Sequence, residues 1–221
     1  MRPVVDLDLY LIADPALCGP RGLVPTVAAA LTGGVTVVQL RAPGATTREL
    51  CTMGEALQAV LVDAEVPLIV NDRLDVAQAV RAAGVHLGQS DLDVRTARRL
   101  GGDDLVIGLS VSTAAQVTDA DGLPPGVVDH LGVGPVFATA TKPEAAAALG
   151  LDATAALRAA TRLPCVAIGG IGPDNITAVR ATGVAGVAVV SAICAADDPR
   201  AAAARLRGPS RPFDELRERE R

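Results

Sequence analysis

The residues best suited to chemistry stand where apolar segments of this sequence end. Residues 67–71 form an apolar run that closes on an amide, and the carboxylate of Asp72 follows at once. A second run, residues 84–87, leads to Asp91. If the two runs are neighbouring parallel strands, both carboxylates reach one rim and can share a hard cation. Magnesium (Mg²⁺) accepts one or two protein carboxylates together with phosphate oxygens, so Asp72 and Asp91 are the candidate metal ligands and Mg²⁺ the candidate cofactor.

A structural explanation of the two aspartates stays open at this stage. Asp72 can pair with the neighbouring guanidinium of Arg73, and Asp91 can cap the helix that follows it. Two isolated aspartates would favour that explanation, whereas two carboxylates that share one rim favour a metal ion bound to a pyrophosphate.

The glycine-rich segment Gly169 to Pro173 is a candidate phosphate site. A predicted helix follows it, and backbone N–H groups at the start of a helix can bind a phosphate. Together with Gly186 to Ser191, it occupies the place after strands seven and eight where barrel enzymes often hold a phosphate. A tight turn would explain the glycines but not their position in the chain.

Three further side chains can neutralise a second phosphate group, because fixed cations and donors stabilise the charge of a leaving group. They are the candidate catalytic residues Arg41, Ser110 and Lys142, although any one of them alone could belong to a solvated rim. Neither histidine, His86 nor His130, has a serine or cysteine partner at a recognisable spacing. We therefore interpret both as core or rim residues.

The elements that must position these residues alternate regularly along the chain. The predicted strands are Leu7 to Ala13, Val35 to Arg41, Pro67 to Asn71, Gly84 to Leu87, Leu105 to Ser110, His130 to Phe137, Cys165 to Gly169 and Gly186 to Ser191. The predicted helices are Val24 to Leu31, Thr47 to Ala64, Asp75 to Ala82, Val94 to Leu100, Thr113 to Asp121, Asp152 to Thr161, Pro173 to Ala181 and Pro199 to Leu206. Most strands are continuous apolar runs, as strands buried on both faces are.

Eight β/α units in about 200 residues predict a single α/β domain, a (β/α)₈ TIM barrel over residues 1–207. An open doubly wound sheet usually has fewer strands and a glycine fingerprint after the first, where this chain has Leu11 to Pro15. Residues 208–221 carry mixed charge without a useful apolar face, and we expect a disordered tail there.

Composition narrows the function further. No apolar run approaches the roughly 20 residues of a membrane span. A formal charge of −5, with one Tyr and two Phe, argues against nucleic-acid binding. Residues 1–8 lack the apolar core of a secretory signal, so we expect a cytoplasmic protein. The four scattered cysteines fit reduced thiols. The expected partners are small-molecule substrates, and the sequence does not fix the oligomeric state.

Five motifs in order carry a resemblance to a known family. They are Gln39-x-Arg41, Asn71-Asp72-Arg73, Gly84-Val85-His86-Leu87-Gly88-Gln89-x-Asp91, Gly134-Pro135-Val136-Phe137-x-Thr139-x-Thr141-Lys142 and Ala167-Ile168-Gly169-Gly170-Ile171. Over about residues 9 to 207, the chain resembles the thiamine-phosphate synthase family. The resemblance implies a Mg²⁺-dependent transferase that joins hydroxymethylpyrimidine diphosphate to a thiazole phosphate, giving thiamine monophosphate and pyrophosphate.

The resemblance also implies a role for each matching residue. Mg²⁺ would be held by Asp72 and Asp91. The pyrimidine diphosphate would be contacted by Gln39, Arg41, Asn71, Ser110 and Lys142. The thiazole phosphate would be held by Thr139, Thr141, Gly170, Val190 and Ser191. The implied mechanism is dissociative, with departure of pyrophosphate before the thiazole nitrogen attacks a pyrimidine methyl cation.

One position departs from the family pattern, because Pro43 stands where the family usually has a lysine. One diphosphate contact is therefore missing, and Arg48 or Arg73 could replace it; losing such an interaction can cost roughly 10² to 10³ in rate. Two alternatives stay open, a related thiazole tautomerase on the same barrel and a non-catalytic phosphate-binding or regulatory protein. The presence of Asp72 and Asp91 argues against the tautomerase, which needs no paired-carboxylate site.

Overall fold

Eight strands pair side by side in sequence order, all parallel, and the eighth pairs with the first, so the sheet closes on itself. The computed structural model describes residues 5–139 and 147–207, and in these ranges strands and helices alternate. The predicted (β/α)₈ barrel is confirmed. Residues 208–221, the predicted tail, lie outside the described ranges.

The bounds of the elements agree with the predicted ones to within a few residues. Strands β1 to β8 are Leu9–Ala13, Val37–Leu40, Leu68–Asn71, Gly84–Leu87, Val106–Val111, His130–Val133, Cys165–Ile168 and Gly186–Val189. Helices α1 to α9 are Leu23–Thr32, Thr47–Leu61, Leu74–Ala79, Val94–Gly101, Ala114–Asp121, Gly150–Ala159, Ile176–Arg180, Ser191–Cys194 and Pro199–Leu206. None of the helices in the described ranges has the length and apolar character that a membrane crossing requires.

Two strands end at least two residues earlier than predicted. Strand β6 was expected to reach Phe137 but ends at Val133, and Pro135, which has no N–H to continue the ladder, follows soon after. Strand β8 ends at Val189, and the four-residue helix α8 begins at Ser191, two residues further on. In both places the chain leaves the sheet at the rim that carries the predicted site.

Side chains along each strand alternate between two apolar layers. On β1, Leu9 and Leu11 belong to the large layer between sheet and helices, while Tyr10 and Ile12 belong to a smaller cluster that faces the barrel interior. The interior cluster consists of Leu7, Tyr10, Ile12, Val37, Ile69, Val106, Val166 and Ala188. Because most of these residues come from β1, β2, β7 and β8, the interior between β3 and β6 is left for polar side chains and glycines.

A half-buried ion pair ties the barrel together at the end opposite the predicted site. Arg98 on α4 donates to Asp129 Oδ2 at 2.9 Å and to the carbonyl oxygen of Leu105, just before β5. The same carboxylate oxygen accepts from the backbone N–H of Ile107 at 2.7 Å. One guanidinium therefore fixes α4 against the starts of two strands.

Candidate functional site

A cavity of about 810 Å³ opens at the carboxyl ends of the strands, where barrel enzymes place their active sites. Nine of the residues that the sequence predicts for the site line it: Gln39, Arg41, Asn71, Asp91, Ser110, Thr139, Gly170, Val190 and Ser191. Asp72 adjoins the lining residue Asn71 but does not itself line the cavity. Thr141 and Lys142 lie outside the described residues. The nine residues lie in or after strands β2 to β8, and the barrel brings them to one cavity.

The two candidate metal ligands follow neighbouring strands at one rim. Asp72 directly follows β3, and its backbone N–H donates to the carbonyl oxygen of His86 on β4 at 2.8 Å. The side-chain amide of Asn71 donates to Asp72 Oδ2 at 2.6 Å. Asp91 closes the turn after β4, where its Oδ2 accepts from the backbone N–H of Gly88 at 2.7 Å. Both carboxylates are therefore fixed by local hydrogen bonds at the ends of adjacent strands.

The two specific contacts suggested for the aspartates, an ion pair with Arg73 and a helix cap, are made by other residues. Arg73 does not pair with Asp72 but donates through Nε to Asp75 Oδ1 at 2.8 Å and through a terminal nitrogen to Thr47. The residue that caps helix α4 is Asp93, whose Oδ1 accepts from the backbone N–H of Thr96 at 3.0 Å. Asp91 instead closes the turn after β4, and Asp72 accepts from Asn71, so the metal role of both carboxylates stays a prediction.

The donor set at this rim fits magnesium better than a transition metal. Within residues 5–139 and 147–207, no group of three or more His, Cys, Asp or Glu side chains could enclose a metal ion by itself. Zinc usually takes three or four such ligands, several of them nitrogen or sulfur. Mg²⁺ keeps one or two carboxylates and fills the remaining positions with water and substrate phosphate oxygens. Asp72 and Asp91 would hold it in that way.

The cationic side of the cavity is built on β1 and β2. Arg41 follows β2, its backbone N–H donates to the carbonyl oxygen of Ala13 at 3.1 Å, and its guanidinium lies 3.5 Å from Asp14 Oδ2. Asp14 also accepts from the backbone N–H of Ala16 at 3.0 Å, which fixes the carboxylate. The paired carboxylate therefore holds the positive charge of Arg41 at the cavity wall.

The floor of the cavity is polar. The side-chain amide of Gln39 donates to the hydroxyl oxygen of Tyr10 at 2.9 Å, and the Tyr10 ring lies 6.0 Å from the ring of His130. Burial raises the pKa of the Tyr10 hydroxyl and lowers the pKa of the His130 imidazole to about 4. Both groups are therefore neutral at physiological pH, and the floor carries no fixed charge from either of them.

His130 is buried, as expected of a core histidine, and His86 has a serine partner that sequence spacing does not indicate. Its Nε2 lies 2.9 Å from the hydroxyl oxygen of Ser110 on the neighbouring strand. Sequence spacing hides the pair, since the two residues are 24 positions apart. The register His86↔Gly108 brings them together: both side chains face the barrel interior, and Ser110 is two residues beyond Gly108.

The glycine turn after β7 has the backbone freedom that its sequence predicts. Gly169 and Gly170 have φ of 103° and 63°, a region that favours glycine. Pro173 was expected to begin a helix, but α7 begins at Ile176. Asn175, a residue without a predicted role, holds this turn together: its Oδ1 accepts from Gly172 N–H, and its amide donates to the carbonyl oxygen of Gly170, both at 2.9 Å.

Fold and cavity together define a (β/α)₈-barrel enzyme with its site at the carboxyl ends of the strands. A family model described as thiamine monophosphate synthase matches residues 9–193, and the chain belongs to that family. The thiamine-phosphate synthase of Laribacter hongkongensis is 50% identical over 202 residues, covering 91% of this chain and 94% of that protein. The thiamine-phosphate synthase of Chloroflexus aurantiacus is 48% identical over 206 residues, covering 92% and 93%.

A solved structure agrees with these sequence relatives. Thiamine phosphate pyrophosphorylase from Pyrococcus furiosus superposes on this chain with a TM-score of 0.81 at 35% sequence identity, and the match covers 97% of each chain. The match therefore extends over nearly the whole of both chains.

Proposed function

We propose that the cavity binds both substrates of a thiamine-phosphate synthase and that magnesium takes part in the reaction. Family membership gives the reaction itself: the chain is a transferase of thiamine biosynthesis that condenses hydroxymethylpyrimidine diphosphate with a thiazole phosphate and releases pyrophosphate. The observation that carries the proposal is that a carboxylate, a fixed guanidinium and a glycine turn line one cavity. Those are the groups that a diphosphate and a phosphate monoester require.

The pyrimidine diphosphate is assigned to the side of the cavity that β2, β3 and β5 form. Arg41, held by Asp14, supplies a fixed positive charge for the diphosphate, and Ser110 supplies a hydroxyl donor. The amides of Gln39 and Asn71 are the remaining contacts on this side, and Lys142, outside the described residues, keeps its predicted role. These groups bind and orient the leaving group rather than attack it.

The thiazole phosphate is assigned to the opposite side, after β7 and β8. Gly170 and Ser191 line the cavity there, and backbone N–H groups with a serine hydroxyl suit a phosphate monoester. Thr139 and Val190 complete this side, and Thr141, outside the described residues, keeps its predicted role. The thiazole nitrogen would then face the carbon that loses pyrophosphate, so the reaction needs no protein nucleophile.

Magnesium would be held by Asp72 and Asp91 together with diphosphate oxygens. When bound, it supplies positive charge to the departing pyrophosphate. The support for this assignment is the adjacency of the two carboxylates at one rim and the absence, in the described ranges, of a closed cluster for another metal. The carboxylates alone would bind Mg²⁺ weakly, so we expect pyrophosphate and Mg²⁺ to bind together.

Asp72→Ala tests the metal assignment with two readouts. Thiamine monophosphate formation from both substrates should fall by at least about 10², since one catalytic electrostatic contact is worth that much. In calorimetry, Mg²⁺ should no longer strengthen the binding of pyrophosphate. The matched control is Asp93→Asn. Asp93 lies two residues from Asp91, and its carboxylate caps helix α4. If Asp72→Ala turns over with unchanged dependence on Mg²⁺, the metal assignment is refuted.

The same assay separates the alternatives. A tautomerase would isomerise a thiazole phosphate without the pyrimidine diphosphate, and a silent phosphate-binding protein would form no product with either mixture. We also propose a cytoplasmic location, which the four free thiols support, since structural disulfides are rare in that compartment.

A further inference from the structure

Three neighbouring strands bring His86 beneath Ser110 inside the barrel. The register pairs His86 on β4 with Gly108 on β5, and Gly108 with His130 on β6. Because residues two apart on a strand face the same side, Ser110 lies on the interior face one step closer to the rim than Gly108. Both His86 and Ser110 line the cavity.

Two glycines make room for the imidazole of His86. A β-carbon at position 108 would lie 2.3 Å from His86 Nδ1, and one at position 132 would lie 2.9 Å from Cε1 of the same ring. Neither glycine has a positive φ, so space rather than backbone conformation requires them. On its far side the ring lies 5.6 Å from the ring of His130. The imidazole is therefore confined to one plane across β5 and β6.

The confined imidazole contacts the hydroxyl group of Ser110, which can rotate about its C–O bond. His86 Nε2 is 2.9 Å from Ser110 Oγ, and the backbone carbonyl of Ser110 accepts from the side-chain amide of Gln89 at 2.7 Å. A serine hydroxyl has one proton and turns freely, so its partner decides whether it meets a ligand as donor or acceptor. A partner that donates to Oγ leaves the serine proton available for the cavity.

We propose that His86 is a positioning residue for Ser110: its Nε2–H donates to Ser110 Oγ and turns the serine O–H toward an acceptor atom of the pyrimidine diphosphate. The inference rests on the proposed function, because Ser110 is assigned there to that substrate. If His86 acts only through Ser110, removing either residue should weaken binding of the diphosphate in the transition state, and removing both should weaken it no further.

The tautomer of His86 tests the first half of this inference without any turnover. The chain has two histidines, so the ¹⁵N resonances of His86 are assigned by comparison with the His86→Phe variant. We expect the proton on Nε2 in the wild-type protein at neutral pH. A neutral ring with its proton on Nδ1 would overturn the inference, because Nε2 would then accept from the serine and take its proton away from the cavity.

A double-mutant cycle tests the second half. His86→Phe keeps the ring volume and removes the donor, and kcat/KM for the pyrimidine diphosphate should fall about tenfold, the worth of one oriented hydrogen bond. In the Ser110→Ala background the same change should have no further effect. His86→Gln, whose side-chain NH₂ can reach the position of Nε2, should recover most of the loss. KM for the thiazole phosphate should stay the same.

Additive losses in the cycle would overturn the positioning role, since a residue that only supports the barrel acts whether or not the serine is present. Circular dichroism and thermal unfolding of each variant establish that the fold is intact. A wild-type protein that makes no thiamine monophosphate would contradict the proposed function, and the tautomer measurement would still decide the contact itself.

Discussion

The buried imidazole of His130 should make the stability of this barrel depend on pH. Burial lowers the pKa of the folded protein's His130 to about 4, whereas its ordinary value is 6.5. Below pH 6.5 the His130 imidazole therefore binds a proton in the unfolded chain but stays neutral in the folded chain. Stability should fall as the pH drops from about 6.5 to about 4 and change no further through this group at lower pH.

The size of the effect follows from the two pKa values. One pKa unit corresponds to about 1.4 kcal/mol, so the complete loss amounts to about 3 kcal/mol. Between about pH 7.5 and about pH 5, where most of the unfolded but little of the folded imidazole is charged, we expect a loss of about 2 kcal/mol. That is a large part of the free energy of unfolding of a typical domain, which is about 5 to 15 kcal/mol.

The measurement compares the wild-type protein with His130→Phe, which keeps a ring beside Tyr10 and cannot be protonated. Urea unfolding at the two pH values gives the free energy of unfolding of each protein. Carboxylates that titrate in the same range contribute equally to both, so they cancel in the difference. We expect the wild-type protein to lose about 2 kcal/mol more than the variant. An equal loss in both would refute the reasoning.

Three other predictions concern space, stability and the missing lysine. Gly108→Ala should lower the free energy of unfolding by about 1 to 3 kcal/mol and reduce kcat/KM, because the added β-carbon collides with both histidines. The control Gly44→Ala, where the space is open, should change neither quantity. Arg98→Met should cost about 3 kcal/mol in urea unfolding, because it removes the guanidinium that pairs with the half-buried Asp129 carboxylate. It should leave kcat unchanged, and a lower kcat would contradict a purely structural role for Arg98. Pro43→Lys should tighten the binding of pyrimidine diphosphate in calorimetry, and an unchanged Kd would mean that another cation already fills that place.

The fold could be predicted because each strand signals itself locally. Continuous apolar runs such as Leu68 to Asn71 mark strands buried on both faces, and the eight-fold alternation with helices leaves few other topologies. What failed were the ends of elements. The glycine turn after β7 was predicted to pass straight into a helix, but the side chain of Asn175 bonds back to Gly170 and Gly172 and delays its start.

The gathering of the candidate residues at one rim was predictable where polar side chains coincide with the end of a strand. Asp72 and Ser110 both lie in or next to apolar runs, and the closed barrel brings such positions to one rim. The pairing of His86 with Ser110 was missed because it depends on the relative register of two strands, which the local pattern does not specify. A signal did exist: Gly108 and Gly132, in strands otherwise built of large residues, mark where a neighbour's side chain enters the interior.

The charges around the cavity support the proposed division of the two substrates between its two sides. Arg41 is the one Arg or Lys among the cavity-lining residues that the structure describes, and it lies on the side that also carries the carboxylates after β3 and β4. A diphosphate that must leave needs fixed cations and a metal, because its charge grows as the bond breaks. A phosphate monoester that only anchors its substrate keeps a constant charge, so neutral donors such as the Gly170 turn and Ser191 suffice. In the proposed arrangement the one described guanidinium lies on the diphosphate side, where it favours departure of pyrophosphate, whereas the carboxylate of Asp174 lines the other side.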